Sequence, residues 1–293
     1  MLDILIKLSK PRITFLVIVT AYLGYYLGLR YSGLLMIEFI SLIKFFHLIV
    51  GVFFTSSGSA ILNQYIESDL DAKMDRTKNR PLPLKKISPN KALILGVLSC
   101  FIGIVYLYVF VNLLTSMISL ATIISYVLIY TPSKMLTSWN TVIGSFPGAL
   151  PPVGGWAAAT GSISTIEPLI LFSILFCWQI PHFFSLAIIY KDDYSKAGYK
   201  MLPSVSDNLD STMFQIVFFT VALIVSTICV YLMKLTSIVY MLGSILLGIV
   251  FLFYSSSVVF EQSSSQIKKL FIFSIIYLPL LILLILFDKF QNN

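Results

Sequence analysis

The chain has 293 residues, of which 58% are hydrophobic and only 11% charged, with a formal net charge of +7. An average soluble domain carries roughly 25% charged residues. This balance therefore excludes a soluble globular protein, and the apolar stretches leave no length for a separate soluble domain.

Apolar segments of about 17–25 residues cross a hydrocarbon core as helix, and the sequence predicts nine: 13–29, 45–65, 92–111, 113–130, 140–159, 168–190, 213–233, 236–257 and 270–287. The first follows a basic start but shows no small-residue cleavage pattern, so it reads as a retained helix. Short cytoplasmic loops hold the excess of Lys and Arg. With the N-terminus inside and the C-terminus outside, only Arg30, Lys44, Lys234 and Lys289 of the twenty basic residues fall on the outer side. The positive charge is thus a topology signal, and no nucleic-acid partner is needed to explain it. Cys100, Cys177 and Cys229 lie singly in apolar spans and read as packing residues.

The second predicted span ends in the run Asn63 to Pro81, where acids and bases crowd into an otherwise oily chain. Ionisable groups beside a buried segment are costly and mark function. Residues four apart advance by about 40° around a helix, so Asn63, Glu67 and Asp71 form one polar stripe while Asp69 points elsewhere. Glu67 and Asp71 supply the oxygen donors that Mg²⁺ takes beside water and phosphate, and Mn²⁺ fits the same ligands. Downstream, Arg76, Lys78 and Arg80 suit phosphate oxygens by charge and hydrogen bonding. Carboxylates for metal next to cations for phosphate are what a diphosphate site requires. The charged inner loops 66–91 and 190–212 are where function is expected.

Thr137 to Trp156 holds four Gly and three Pro, which reads either as a kinked packing helix or as the wall of a cavity. In the sixth span, His182, Leu186, Ile189 and Asp193 share a helical face, and Asp192 and Asp193 end on the same membrane side as Glu67 and Asp71. A histidine in an apolar helix is a packing residue, a substrate contact, a metal ligand or a proton carrier. His47, near the outer end of the second span, is given no role.

These blocks, taken in order, resemble the UbiA superfamily of intramembrane prenyltransferases and, within it, the protohaem IX farnesyltransferase branch. The resemblance is carried by Lys10-Pro11-Arg12, the Asn63–Pro81 run, Thr137–Trp156, Trp178 with Pro181-His182-Phe183, and Asp193-Tyr194 followed by Ala197-Gly198 and Met201-Leu202-Pro203. It spans nearly the whole chain. The superfamily's first motif, Asn-Asp-x-x-Asp-x-x-x-Asp, falls on Asn63, Gln64, Glu67 and Asp71. Gln64 and Glu67 depart from it, as does the second Asp-x-x-x-Asp motif, whose spacing is occupied by Tyr190 and Tyr194. The loop before Thr137 reads Lys134-Met135-Leu136, two cations short of the branch's usual pattern.

The resemblance implies an all-α membrane protein: nine transmembrane helices in a single domain, residues 1–293, around a central cavity open at the cytoplasmic side. It implies transfer of a farnesyl group from farnesyl diphosphate to a vinyl group of haem B, giving haem O for terminal oxidases and releasing diphosphate. On that reading Asn63, Glu67, Asp71 and Asp193 are catalytic, and Glu67, Asp71, Asp192 and Asp193 hold Mg²⁺. Arg76, Lys78, Arg80, Lys134 and Lys191 bind diphosphate, while His182 and Arg12 face haem. A bacterial-type cytoplasmic membrane and a downstream haem-modifying enzyme or oxidase-assembly partner are further expectations. The alternatives are a UbiA-type enzyme acting on an aromatic quinone precursor and, from another class, a multipass transporter.

Overall fold

The computed structural model describes residues 2–206 and 208–288, and every regular element among them is a helix. A short amphipathic α1 (Leu2–Ser9) leads into α2 (Pro11–Tyr31) and α3 (Phe39–Ile66), which is followed by a single turn, α4 (Ser68–Asp71). Then come α5 (Pro89–Phe110) and α6 (Leu113–Ile124), which runs through a π-helical stretch, Ser125–Tyr130, into α7 (Thr131–Leu136). The second half comprises α8 (Asn140–Thr160), α9 (Glu167–Ile189), α10 (Lys191–Ala197), α11 (Leu202–Val205), α12 (Asp210–Leu232), α13 (Ile238–Phe260) and α14 (Ser264–Phe287). Lys289, expected on the outer side, lies outside the described residues.

Among the described residues, eight helices are long and apolar enough to cross a membrane: α2, α3, α5, the continuous α6–α7, α9, α12, α13 and α14. The expected span at 140–159 is also a helix, 21 residues long, but its Gly and Pro content keeps it below that hydropathy. Pro147, Pro151 and Pro152 sit inside it, each removing a ladder hydrogen bond.

The long helices form two packed groups. In the first, α2, α3, α5, α6 and α8 touch in sequence, with α8 closing back on α2. The α2–α8 contact is made backbone to backbone. A Cβ on Gly155 would lie 1.9 Å from the Ala21 carbonyl oxygen, and one on Gly24 would lie 1.8 Å from that of Pro152. Small residues permit such approach where no hydrophobic force drives helices together. The second group packs α9, α12, α13 and α14 around Trp178, Phe184, Tyr240, Phe251 and Tyr277. Contact between α8 and α9 joins the groups. The first is hollow and the second is filled.

Candidate active site

A cavity of about 460 Å³ opens among the helices of the first group and is closed on one side by α9 of the second. Its mouth is lined by Lys10, Asn63, Glu67, Asp71, Arg76, Arg80 and Lys134, and its wall by Gly144, Pro147, Gly148, Pro151 and Gly154 of α8. The segment left open between a kinked helix and a cavity wall is a continuous, proline-bearing helix that lines the cavity. Lining residues run from Asp71 on α4 past Glu67 and along α3 to Leu48, and the nineteen residue steps from Leu48 to Glu67 correspond to about 28 Å of helix. The depth of the channel is apolar despite its hydroxyls. Thr20, Thr55, Ser59 and Thr122 each donate to a carbonyl on their own helix, which leaves their carbon atoms to face the space.

The mouth is built where α3 ends. The helix breaks at Glu67 (φ −90°, ψ 3°), yet the Asp71 amide still bonds the Glu67 carbonyl at 2.8 Å, so the polar stripe continues into α4. Lys10, the residue before α2, is held at φ 47° and its ammonium donates to Asn63 Oδ1 at 2.7 Å. Asn63 Nδ2 donates in turn to Thr131 Oγ1 at 3.1 Å. Gln64 occupies the position where the wider superfamily motif has Asp. It turns away from the mouth and ties down α1 through a 2.7 Å hydrogen bond to the Leu8 carbonyl.

Two partly buried ion pairs, each with a buried carboxylate, cross the mouth: Lys134 Nζ to Glu67 Oε1 at 2.7 Å and Arg80 Nη1 to Asp71 Oδ2 at 2.6 Å. Burial would raise the Glu67 carboxyl, but Lys134, Lys10 and Arg80 outweigh it and hold the group below its usual range. For Asp71, burial wins over the Arg80 guanidinium and the pKa is raised. Burial, followed by repulsion from Arg80, brings the Lys10 ammonium down to about 7. The Oδ1 atom of Asp71 is buried with no hydrogen-bond partner. A buried oxygen left this way costs about 1–3 kcal/mol, and it is available to a cation arriving with a ligand. The two carboxylates, with room left beside them for water and phosphate oxygens, match the donor set Mg²⁺ takes.

The structure does not bring all the expected site residues to this mouth. Among the described residues no group of three or more His, Cys, Asp or Glu side chains is placed to hold one metal ion. Glu67 and Asp71 line the cavity, whereas Asp192 and Asp193 do not. Helix α9 ends at Ile189 and the chain re-enters as α10, so Asp193 leaves the His182 face. Asp192 is exposed, and the Asp193 carboxylate accepts the Arg76 amide at 3.3 Å. Lys78 is exposed and paired with Asp75 at 2.5 Å. Arg12 is exposed, Lys191 is partly buried, and neither lines the cavity. Arg76 does line it, with its guanidinium over the Tyr190 and Tyr194 rings at 5.1 and 5.6 Å. His182 lines the far wall, stacked between Trp178 and Phe271, with Nδ1 2.8 Å from Ser274 Oγ.

Sequence reasoning did not single out Lys10, Gln179, Tyr194 or Tyr199 as site residues. Lys10 had a signal, since it directly precedes Pro11 in a block that pointed instead to Arg12. Gln179 bridges α8 and α9 through the Ser145 carbonyl at 3.2 Å, a role that only the close approach of Gly148 reveals.

Residues 17–278 match the UbiA prenyltransferase family. The chain belongs to that family. It is 42% identical to the protoheme IX farnesyltransferase of Solibacter usitatus over 97% of this chain and 98% of that protein. It is 36% identical to the protoheme IX farnesyltransferase of Koribacter versatilis over 97% and 92%. Among solved structures, a digeranylgeranylglyceryl phosphate synthase superposes with a TM-score of 0.81 at 17% identity, covering 99% of each chain. A UbiA homologue from Archaeoglobus fulgidus bound to GPP and Mg²⁺ gives 0.66 at 17% identity, over 96% of this chain and 99% of that one. These two likenesses bear on the fold alone, and they agree with the helical bundle described above.

Proposed function

We propose that the chain transfers a farnesyl group from farnesyl diphosphate to a vinyl group of haem B, producing haem O and releasing diphosphate. The observation that carries the mechanism is the mouth itself. Lys134 and Arg80 are paired with the two carboxylates suited to metal, and all four side chains face one channel that is apolar beyond them. The relatives named protoheme IX farnesyltransferase, matched over nearly their full length, support the choice of donor and acceptor.

Glu67 and Asp71 would hold the metal of a bound metal diphosphate, and Lys134, Arg80, Arg76 and Lys10 would take its phosphate oxygens, so that no charge is stranded. Mg²⁺, or Mn²⁺ on the same donors, supplies Lewis-acid stabilisation of the leaving diphosphate. As the allylic carbon–oxygen bond breaks, its electron pair passes to diphosphate, and preorganised cations stabilise the growing charge. The apolar channel shields the prenyl cation from water until the terminal vinyl carbon attacks it; the cation this leaves beside the porphyrin ring is then quenched by water, which adds as a hydroxyl and releases a proton. Asn63 holds Lys10 in place. His182 stands on the cavity wall nearest the second helix group and is assigned to the haem side, with its ring fixed by the stack between α9 and α14.

The topology that fits this site has α8 as a ninth crossing, the N-terminus on the cytoplasmic side and the C-terminus outside, in a bacterial-type cytoplasmic membrane. The basic residues near the mouth support that orientation. A haem-modifying enzyme or an oxidase-assembly protein would then receive the product. The test is an acceptor comparison with purified protein, farnesyl diphosphate and Mg²⁺, read by mass spectrometry. A farnesyl-bearing haem from haem B, with no prenylated 4-hydroxybenzoate, is the expected result. The reverse pattern would move the chain to the quinone-directed enzymes.

A further inference from the structure

Tyr199 is a buried side chain whose hydroxyl has no hydrogen-bond partner, and it lines the cavity mouth. Its position is fixed from both sides. The Tyr199 amide bonds the Tyr194 carbonyl at 3.0 Å and the Lys200 amide bonds the Lys134 carbonyl at 2.7 Å. Asn140 Nδ2 adds a 2.7 Å bond to the Lys200 carbonyl. The ring lies 5.7 Å from Lys134 Nζ and packs edge-on to Tyr194. Lys134 is thus bound to Glu67 on one side and faces the Tyr199 ring on the other.

A buried phenol without a partner is destabilising, and native structures leave few such groups. Tyr277, in the filled helix group, also lacks a partner, but it does not line the cavity. The phenol O–H is a donor, and no protein group accepts from it within hydrogen-bond distance. Its neighbour Lys134 is one of the cations already assigned to phosphate.

We propose that the Tyr199 hydroxyl donates a hydrogen bond to a phosphate oxygen of the prenyl diphosphate, as an additional substrate-contacting residue beside Lys134. The inference rests on the reading of this mouth as a diphosphate site. The bond strengthens as charge builds on the leaving group, with the proton remaining on Tyr199.

The experiment compares wild-type chain, Tyr199→Phe and Tyr277→Phe in detergent, using Mg²⁺ with inorganic diphosphate as the calorimetric probe, followed by turnover and thermal unfolding. Tyr199→Phe should weaken Mg²⁺–diphosphate binding about 10-fold and lower kcat about 100-fold. It should leave the unfolding midpoint unchanged or higher, because a buried unpaired oxygen is removed. Tyr277→Phe should change neither affinity nor kcat. Unchanged diphosphate affinity in Tyr199→Phe would overturn the inference, as would a loss matched by Tyr277→Phe or accompanied by a falling midpoint. Failure of the wild-type chain to bind Mg²⁺–diphosphate would instead overturn the reading of the mouth.

Discussion

The two helix groups bury side chains to opposite ends. Between α2 and α8 the closest contacts are made by glycines against alanine and proline backbone, and the space left between helices is lined at one end by ionisable groups. Around α9, α12, α13 and α14, large aromatic side chains fill the interior, with Phe251 5.0 Å from Tyr277 and 5.6 Å from Phe273. The difference teaches that close packing and a cavity coexist when helices approach through small residues at chosen points and separate elsewhere. The filled group then acts as a buttress, setting α9, and with it Gln179 and His182, against the hollow one.

If that division is right, substitutions in the hollow group strike function and those in the filled group strike stability. Asp71→Asn should lower turnover about 100-fold or more, since it removes one of two metal carboxylates. The helical content measured by circular dichroism should be retained. Phe251→Ala should do the opposite. Loss of a fully buried ring is destabilising by about 3 kcal/mol, seen as a lower unfolding midpoint, while turnover of the folded fraction at low temperature stays within a few-fold of wild type.

Lys10 sharpens the comparison through pH. Its pKa of about 7 in the ligand-free protein means the ammonium is charged below that value and progressively neutral above it. Lys10→Met should therefore weaken Mg²⁺–diphosphate binding about 10-fold at pH 6 and by less at pH 8.5, where the wild-type group has already lost much of its charge. Isothermal calorimetry at the two pH values checks this, and an effect growing with pH would contradict it. Asp192→Asn, at an exposed position away from the cavity, should change turnover by less than about 2-fold, in line with the small worth of exposed charges.

Much of the architecture was legible because bilayer thickness sets helix length: each expected span lies within or largely overlaps a helix. The span at 140–159 shows the limit. Its position was readable, but its Pro and Gly residues left open what it borders, and only the packing against α2 shows that it walls a cavity. At the site, Asn63, Glu67 and Asp71 were legible because helical spacing carries them to one side, and the stripe survives the break at Glu67. Asp193 was misplaced by extending the same spacing through Tyr190, where α9 stops and the chain turns. Lys78 was grouped with Arg76 and Arg80 by adjacency, yet the turns after α4 direct it to Asp75 on the surface. Tyr199 could not be read at all. Its importance comes from a loop hydrogen-bonded to Lys134 and from a hydroxyl without a partner, and neither has a local sequence signature.

The central claim is that the ligand-free ion pairs Lys134–Glu67 and Arg80–Asp71 are exchanged when a metal diphosphate binds. An experimental structure of the full chain with Mg²⁺ and a non-hydrolysable farnesyl diphosphate analogue tests it directly. The account predicts the metal on Glu67 and Asp71, with Lys134 and Arg80 moved onto phosphate oxygens and the farnesyl chain running toward Leu48. Both ion pairs intact, with the analogue bound elsewhere, would contradict it.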